Sequence, residues 1–147
     1  MKAEKIVFPT DFSEHSKAAL GHATALARDT GATLMIVYVK EDLDVYADTG
    51  FAGYPLATND DELLKELEEV KPLDPKVACE HKLLHGNPED EVVEYAEQVG
   101  ADMIVMGTHG RRGLTRLLMG SVAEAVVRKA RCPVLTIKQP EQVEASS

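Results

Sequence analysis

The chain has 147 residues, 44% hydrophobic and 28% charged, with a formal net charge of −9. That length suits one domain with a real core rather than two, and the composition is that of an ordinary soluble globular protein. No apolar run approaches the roughly 20 residues of a membrane helix, and the acidic balance argues against a general nucleic-acid surface. The start, Met1-Lys2-Ala3-Glu4-Lys5, lacks the apolar stretch of a signal peptide, so the cytoplasm is the expected compartment. Cys79 and Cys132 stand in no metal-like pair and read as plain thiols.

Strand-like and helix-like segments alternate from end to end. Ile6-Val7-Phe8 is the first strand. Ser13 is placed to N-cap a helix whose Ala19, Leu20, Ala23, Leu26 and Ala27 share one face, and Gly31 closes it. Thr33 to Val39 is a nearly unbroken apolar run, the pattern of a strand covered on both faces. The stretch from Lys40 to Asn59 carries Gly50, Gly53 and Pro55 and reads as a long connection of the kind that serves as a lid or contact loop. A helix follows with Leu63, Leu64, Leu67 and Val70 inward, stopped by Pro72 and Pro75. Val77 to Leu84 is a third strand of mixed character, nearer an edge. Asn87 then caps a helix with Pro88 at its first position, Val92, Val93, Ala96 and Val99 inward, and Gly100 at its end. Met103 to Met106 is the fourth strand, Val122 to Ala130 the last helix and Val134 to Ile137 the last strand.

This alternation predicts an α/β fold: a single doubly wound, open five-stranded parallel sheet with helices on both faces and right-handed crossovers. The domain is expected over residues 1–138, with a polar tail over 139–147. In such sheets the ligand crevice lies at the carboxyl ends of the strands, where strand order reverses. With order 3-2-1-4-5, that place is between the first and fourth strands, where Pro9-Thr10-Asp11 and the segment after Met106 both emerge.

That second segment reads Gly-Thr-His-Gly-Arg-Arg-Gly-Leu-Thr-Arg-Leu-Leu-Met-Gly-Ser from Gly107 to Ser121. A glycine-rich turn that leaves a strand and feeds a helix lets backbone N–H groups approach an anion, and the helix start adds donors and partial positive charge. From Gly107 to Arg131 six cations face Glu124 alone, a local charge of +5, so the remainder carries −14. A small anion suits that distribution better than a long polyanion. Arg128, Lys129 and Arg131 also suit a helix C-terminus, which leaves Arg111, Arg112 and Arg116 as candidates for anion contact. Other proteins of this layout are excluded by residue. The third strand ends in Leu84-His85-Gly86 without the aspartate of a phosphoacceptor domain, and the loop after the first strand lacks a flavodoxin's glycines. Neither G-x-x-x-x-G-K-[ST] nor G-x-G-x-x-G occurs.

The pattern G-x2-G-x9-G-S between the last two strands resembles the universal stress protein family, ATP-binding branch. Ile6 to Ser13, Gly86-Asn87-Pro88, Ala101 to Gly107 and Cys132 to Leu135 extend the resemblance over almost the whole chain. It implies an adenine nucleotide, ATP or equally ADP or AMP, with Mg²⁺ or Mn²⁺ on the phosphates, and a homodimer through the last strand, Val134–Ile137. Gly107 and Gly110 would bring backbone near ribose and phosphates. Gly120, Ser121 and Val122 would supply N–H groups at the helix start, and Ser121 is equally a good N-cap. Asp11 would lie near the nucleoside, with Pro9 and Thr10 lining the same mouth. Val39 would meet the adenine mostly through its backbone and Met106 would pack on it, though either is equally a core residue. His109 and Arg111 or Arg112 would touch phosphate. No catalytic residue and no protein metal ligand is expected.

The function so implied is a cytoplasmic, ATP-binding stress-response or regulatory protein, with slow ATP hydrolysis at most and a protein partner that the sequence does not name. One rival is a ligand-free protein-interaction module of the same fold. The other is an ATP-using enzyme of the adenine nucleotide hydrolase-like group, whose S-G-G-x-D-S loop is absent here.

Overall fold

The apolar runs form strands and the periodic stretches form helices. The computed structural model describes residues 3–41, 59–108 and 120–138. In chain order these form β1 (Lys5–Pro9), α1 (Glu14–Thr30), β2 (Thr33–Lys40), α2 (Asp60–Glu68), β3 (Cys79–His85), α3 (Pro88–Val99), β4 (Met103–Gly107), α4 (Ser121–Lys129) and β5 (Val134–Ile137). All strand pairings are parallel, as the alternation of elements predicts, and the order is β3-β2-β1-β4-β5, the one expected.

Side chains alternate across the strands and build two cores. Ile6, Phe8, Leu34, Ile36, Tyr38 and Val105 face α1 and α2, where Ala19, Ala23, Ala27, Leu63 and Leu67 meet them. Val7, Met35, Val37, Val39, Ile104 and Met106 face α3 and α4, packed on Val92, Ala96, Ala123 and Val126. The six central residues of β2 are all buried, which explains its unbroken apolar run. β3 lies at the edge of the sheet, which explains its mixed one.

Helix ends follow local chemistry. Ser13 Oγ accepts from Ser16 N–H at 3.2 Å, Asn59 Oδ1 from Glu62 N–H at 2.8 Å and Asn87 Oδ1 from Glu89 N–H at 3.2 Å. Gly31 and Gly100 close α1 and α3 in left-handed conformations, φ 79° and 69°. The last helix differs from expectation by one residue. Gly120, not Ser121, is its N-cap: Gly120 is extended and its carbonyl accepts the first helical bond, from Glu124 N–H at 3.0 Å. Ser121 is the first helical residue and is exposed. The helix stops at Lys129, because Ala130 returns to extended backbone.

The amino ends of the central strands are stapled together. Asp102, just before β4, accepts from the N–H groups of Glu4 and Lys5 at 2.8 and 3.0 Å. These two bonds hold its carboxyl below the usual carboxylate range. Lys5 Nζ also reaches the Val99 carbonyl at 3.0 Å.

A candidate ligand crevice at the centre of the sheet

In a parallel strand, successive residues direct their main-chain groups to alternate neighbours. Here Glu4 O accepts from Thr33 N–H at 2.9 Å and Thr10 N–H donates to Val37 O at 2.8 Å, both towards β2. Lys5 O accepts from Asp102 N–H at 2.8 Å, towards β4. Odd-numbered residues of β1 therefore serve β4, and Pro9 is one of them. Proline has no N–H to give. The ladder between β1 and β4 accordingly stops at Val7↔Ile104, whereas that between β1 and β2 continues to Pro9↔Val37. The two central strands lose their main-chain connection at the switch point of the sheet, where doubly wound folds hold ligands.

The chain leaving β1 is tightly organised. Phe12 N–H donates to Thr10 Oγ1 at 3.1 Å and Ser13 N–H to Asp11 Oδ1 at 3.0 Å. Ser16 Oγ donates to the same Asp11 oxygen at 2.8 Å and accepts from Asp11 N–H at 3.1 Å. Asp11 is thus fixed by the turn and the first turn of α1. Thr10 is buried, and Pro9 and Asp11 are half-buried. Phe12 has φ 66°, the one positive φ at a non-glycine among the described residues. Its ring stacks on Tyr38 with centroids 4.7 Å apart and planes 25° apart.

Across the crevice, β4 ends at Gly107. Thr108 N–H donates to Ile137 O at 3.1 Å, and Gly120 N–H donates to Thr108 O at 2.7 Å. The second bond closes the base of the glycine-rich segment and seats the start of α4 beside the ends of β4 and β5. Gly120 has no side chain to cap this helix, and its first three residues, Ser121, Val122 and Ala123, carry no charge. Backbone N–H groups and the positive end of the helix dipole therefore meet at this point with no acidic residue before Glu124.

Val39 and Met106 are 8% and 6% exposed and belong to the same core cluster, so both side chains serve the core whatever else they touch. Pro9, Thr10 and Asp11 are brought together at the end of β1, and Met106 and Gly107 at the end of β4. Gly120, Ser121 and Val122 stand at the start of α4. Pro9 is the last residue of β1 rather than part of the following loop. His109, Gly110 and Arg111 lie outside the described residues, as do Arg112, Arg116, most of the Lys40–Asn59 connection and the tail from Gln139.

Three features of this end of the sheet escape sequence reading. One is the Phe12–Tyr38 stack, because a positive φ is expected of glycine, asparagine or aspartate rather than phenylalanine. Another is Ser16, which the helical period assigns to no role. The third is a clip at the start of α2: Asp60 accepts from His85 Nε2 at 2.8 Å and lies 3.5 Å from Lys40 Nζ. The hydrogen bond from His85 is the main cause that holds the Asp60 carboxyl below its ordinary value; burial opposes it, and the charges of His85 and Lys40 add smaller lowering effects. Cys79 and Cys132 are both free, and burial raises both thiols, so neither is a ready thiolate.

In doubly wound parallel sheets, the place where the central strands part and a helix start faces them is where ligands are held. The sequence pattern of the universal stress protein family matches residues 2–138, and the chain belongs to that family. It is 42% identical to universal stress protein MJ0531 of Methanocaldococcus jannaschii, over 95% of this chain and 84% of that protein. The solved structure of MJ0577 from the same organism superposes with a TM-score of 0.81 at 30% identity, covering 96% of this chain and 99% of that one. A universal stress protein crystallised in complex with cAMP superposes with a TM-score of 0.67 at 26% identity, covering 93% and 98%. Among the described residues no helix is long and apolar enough to cross a membrane.

Proposed function

We propose that this chain is a cytoplasmic stress-response or regulatory protein that binds an adenine nucleotide, ATP foremost, in the crevice between β1 and β4. The observation that carries the reading is the start of α4. Alone among the four described helices it has no side-chain cap, and the Gly120–Thr108 bond of 2.7 Å holds it beside the end of β4. The cAMP complex of a protein of the same fold supports an adenine nucleotide as the ligand. In this reading Gly107, Gly110, Gly120, Ser121 and Val122 cradle the phosphates with main-chain N–H groups, assisted by His109 and Arg111. Pro9, Thr10 and Asp11 flank the nucleoside, and Val39 and Met106 border the base.

Among the described residues no cluster of three or more His, Cys, Asp or Glu is placed to hold a metal. In this reading a Mg²⁺ or Mn²⁺ ion is carried by the phosphates. The reading is of a binder rather than an enzyme. Phosphoryl transfer needs a base or water-positioning group, and Asp11, the carboxylate at the mouth, already accepts from Ser13 N–H and Ser16 Oγ. The protein works as a homodimer in this reading. β5 is a four-residue edge strand with Leu135 40% exposed, and Val127 of the neighbouring α4 is 45% exposed. Pairing with a second copy would cover both. Sedimentation that finds only monomer at micromolar concentration would remove the dimer from the proposal.

Thermal unfolding with ATP, ADP, AMP and GTP, each with and without Mg²⁺, tests the ligand. A nucleotide at ~100 times its dissociation constant adds about 2.7 kcal/mol to stability. The expected result is a rise in melting temperature with ATP that exceeds those with AMP and GTP. No shift with any nucleotide, in protein shown to carry none, would instead favour a ligand-free interaction module.

A further inference from the structure

Phe12 adopts a conformation that an L-residue with a bulky side chain ordinarily avoids, because its Cβ crowds the neighbouring carbonyl. Such a residue persists only where its surroundings over-determine it. Three contacts do so here. Its N–H is held by Thr10 Oγ1 at 3.1 Å, the next N–H by Asp11 Oδ1 at 3.0 Å, and its ring by Tyr38 at 4.7 Å between centroids. Tyr38 is itself fixed, 8% exposed in the core beneath α1 and α2. Phe12 is only partly buried and packs on the margin of that core. A leucine would pay the same left-handed cost, which arises at Cβ, and could supply similar apolar contact without a ring. What the aromatic ring adds is direction: an offset stack on Tyr38 sets the turn at one angle. That turn carries Thr10 and Asp11, and its far side begins α1.

We propose that Phe12 is a positioning residue for the nucleoside half of the crevice: its ring, stacked on Tyr38, locks the left-handed turn that fixes Thr10 and Asp11 at the end of β1. The inference rests on the adenine-nucleotide reading and adds to it a division of labour. The β1 turn governs adenosine, and the α4 start governs phosphate. Because Tyr38 neighbours Val39 on β2, the stack also ties the turn to the strand that borders the base. A ligand that grips Asp11 therefore meets a site already in place, without ordering a loop at the moment of binding.

The test is calorimetric titration of wild type, Phe12→Leu, Phe12→Gly and Tyr38→Phe with AMP and ATP, alongside their melting temperatures. Phe12→Leu keeps the backbone strain and loses the stack. Phe12→Gly loses both, which separates ring from conformation should the leucine variant fold poorly. Both are expected to weaken AMP and ATP by the same factor, about fivefold to tenfold, the worth of one aromatic pair. Their melting temperatures should move by less than about 4 °C. Tyr38→Phe retains the stack and should weaken AMP and ATP less than either Phe12 variant does. Phe12 variants that bind both nucleotides within about twofold of wild type, or that lose ATP and spare AMP, overturn the proposal. A wild type that binds neither nucleotide overturns the adenine-nucleotide reading itself, and this inference falls with it.

Discussion

Four helices among the described residues start at the carboxyl ends of the strands, and three of them differ from the fourth. Helices α1, α2 and α3 are each capped by a side chain, Ser13, Asn59 or Asn87. Each also brings acids to its first residues: Glu14 in α1, Asp60, Asp61 and Glu62 in α2, and Glu89, Asp90 and Glu91 in α3. Their exposed N–H donors and positive dipole ends are neutralised within the helix itself. Helix α4 has Gly120 at its cap and no charge before Glu124. Among the described residues three helix starts are thus closed by their own side chains and one is open, and the open one stands at the switch point. A helix start binds an external anion only where its own sequence leaves it unsatisfied.

The sharpest way to break this contrast is to give α4 what the others have. Gly120→Asp supplies a capping carboxylate where the phosphates are proposed to sit. At 4 Å and an effective dielectric constant near 20, like charges repel by about 4 kcal/mol. ATP affinity should therefore fall at least about a hundredfold, and AMP affinity by less. The ligand-free variant should melt slightly higher, since aspartate caps better than glycine by only a few tenths of a kcal/mol. Opposite signs in the two measurements are the signature, and unchanged ATP affinity would remove α4 from the site. The converse change, Asn87→Ala, opens a closed helix start that lies off the switch point. It should cost about 1 kcal/mol in urea denaturation and leave nucleotide affinity unaltered.

The smallest effect belongs to the amino end of the sheet. Asp102 bonds two N–H groups of the chain entering β1, and its folded-state pKa is depressed. Its contribution is therefore complete above the unfolded pKa of about 3.9 and is lost as pH falls through the lower folded value. Asp102→Ala should melt below wild type at neutral pH, with the gap closing in strong acid. Nucleotide affinity should not follow it, because the staple lies at the opposite end of the strands. A gap that persists undiminished in acid would mean that the carboxylate charge is not what Asp102 contributes.

Much of this architecture is legible in the sequence because it is written in short-range patterns. The parallel α/β architecture follows from alternating apolar runs and helical periods, and the caps Ser13, Asn87, Gly31 and Gly100 mark helix ends within a residue. Ser121 shows the limit. Serine is the better cap by chemistry, but the chain is still extended at Gly120, and that conformation decides the position. What stays hidden depends on contacts made at a distance. Asp102 meets Glu4 across 98 positions, and His85 meets Asp60 across 25. No local pattern announces either. Phe12 is hidden for another reason, since its backbone contradicts the preference of its own residue type and is sustained by Tyr38 from a different strand. Of the candidate site, the mouth was therefore readable from Pro9, Thr10, Asp11 and Gly120, whereas the device that stiffens it was not.

Proline in an interior strand is normally a defect, since it forfeits a bond that every neighbour expects. At Pro9 the forfeited bond decides where two strands part, like a zip stopped by a missing tooth. The point where the ladder ends is then set by imino-acid chemistry in the main chain and not by the bulk of surrounding side chains. Apolar residues around it can drift in size or shape without sealing it. A parting of strands defined in this way keeps its position while the side chains around it are free to change.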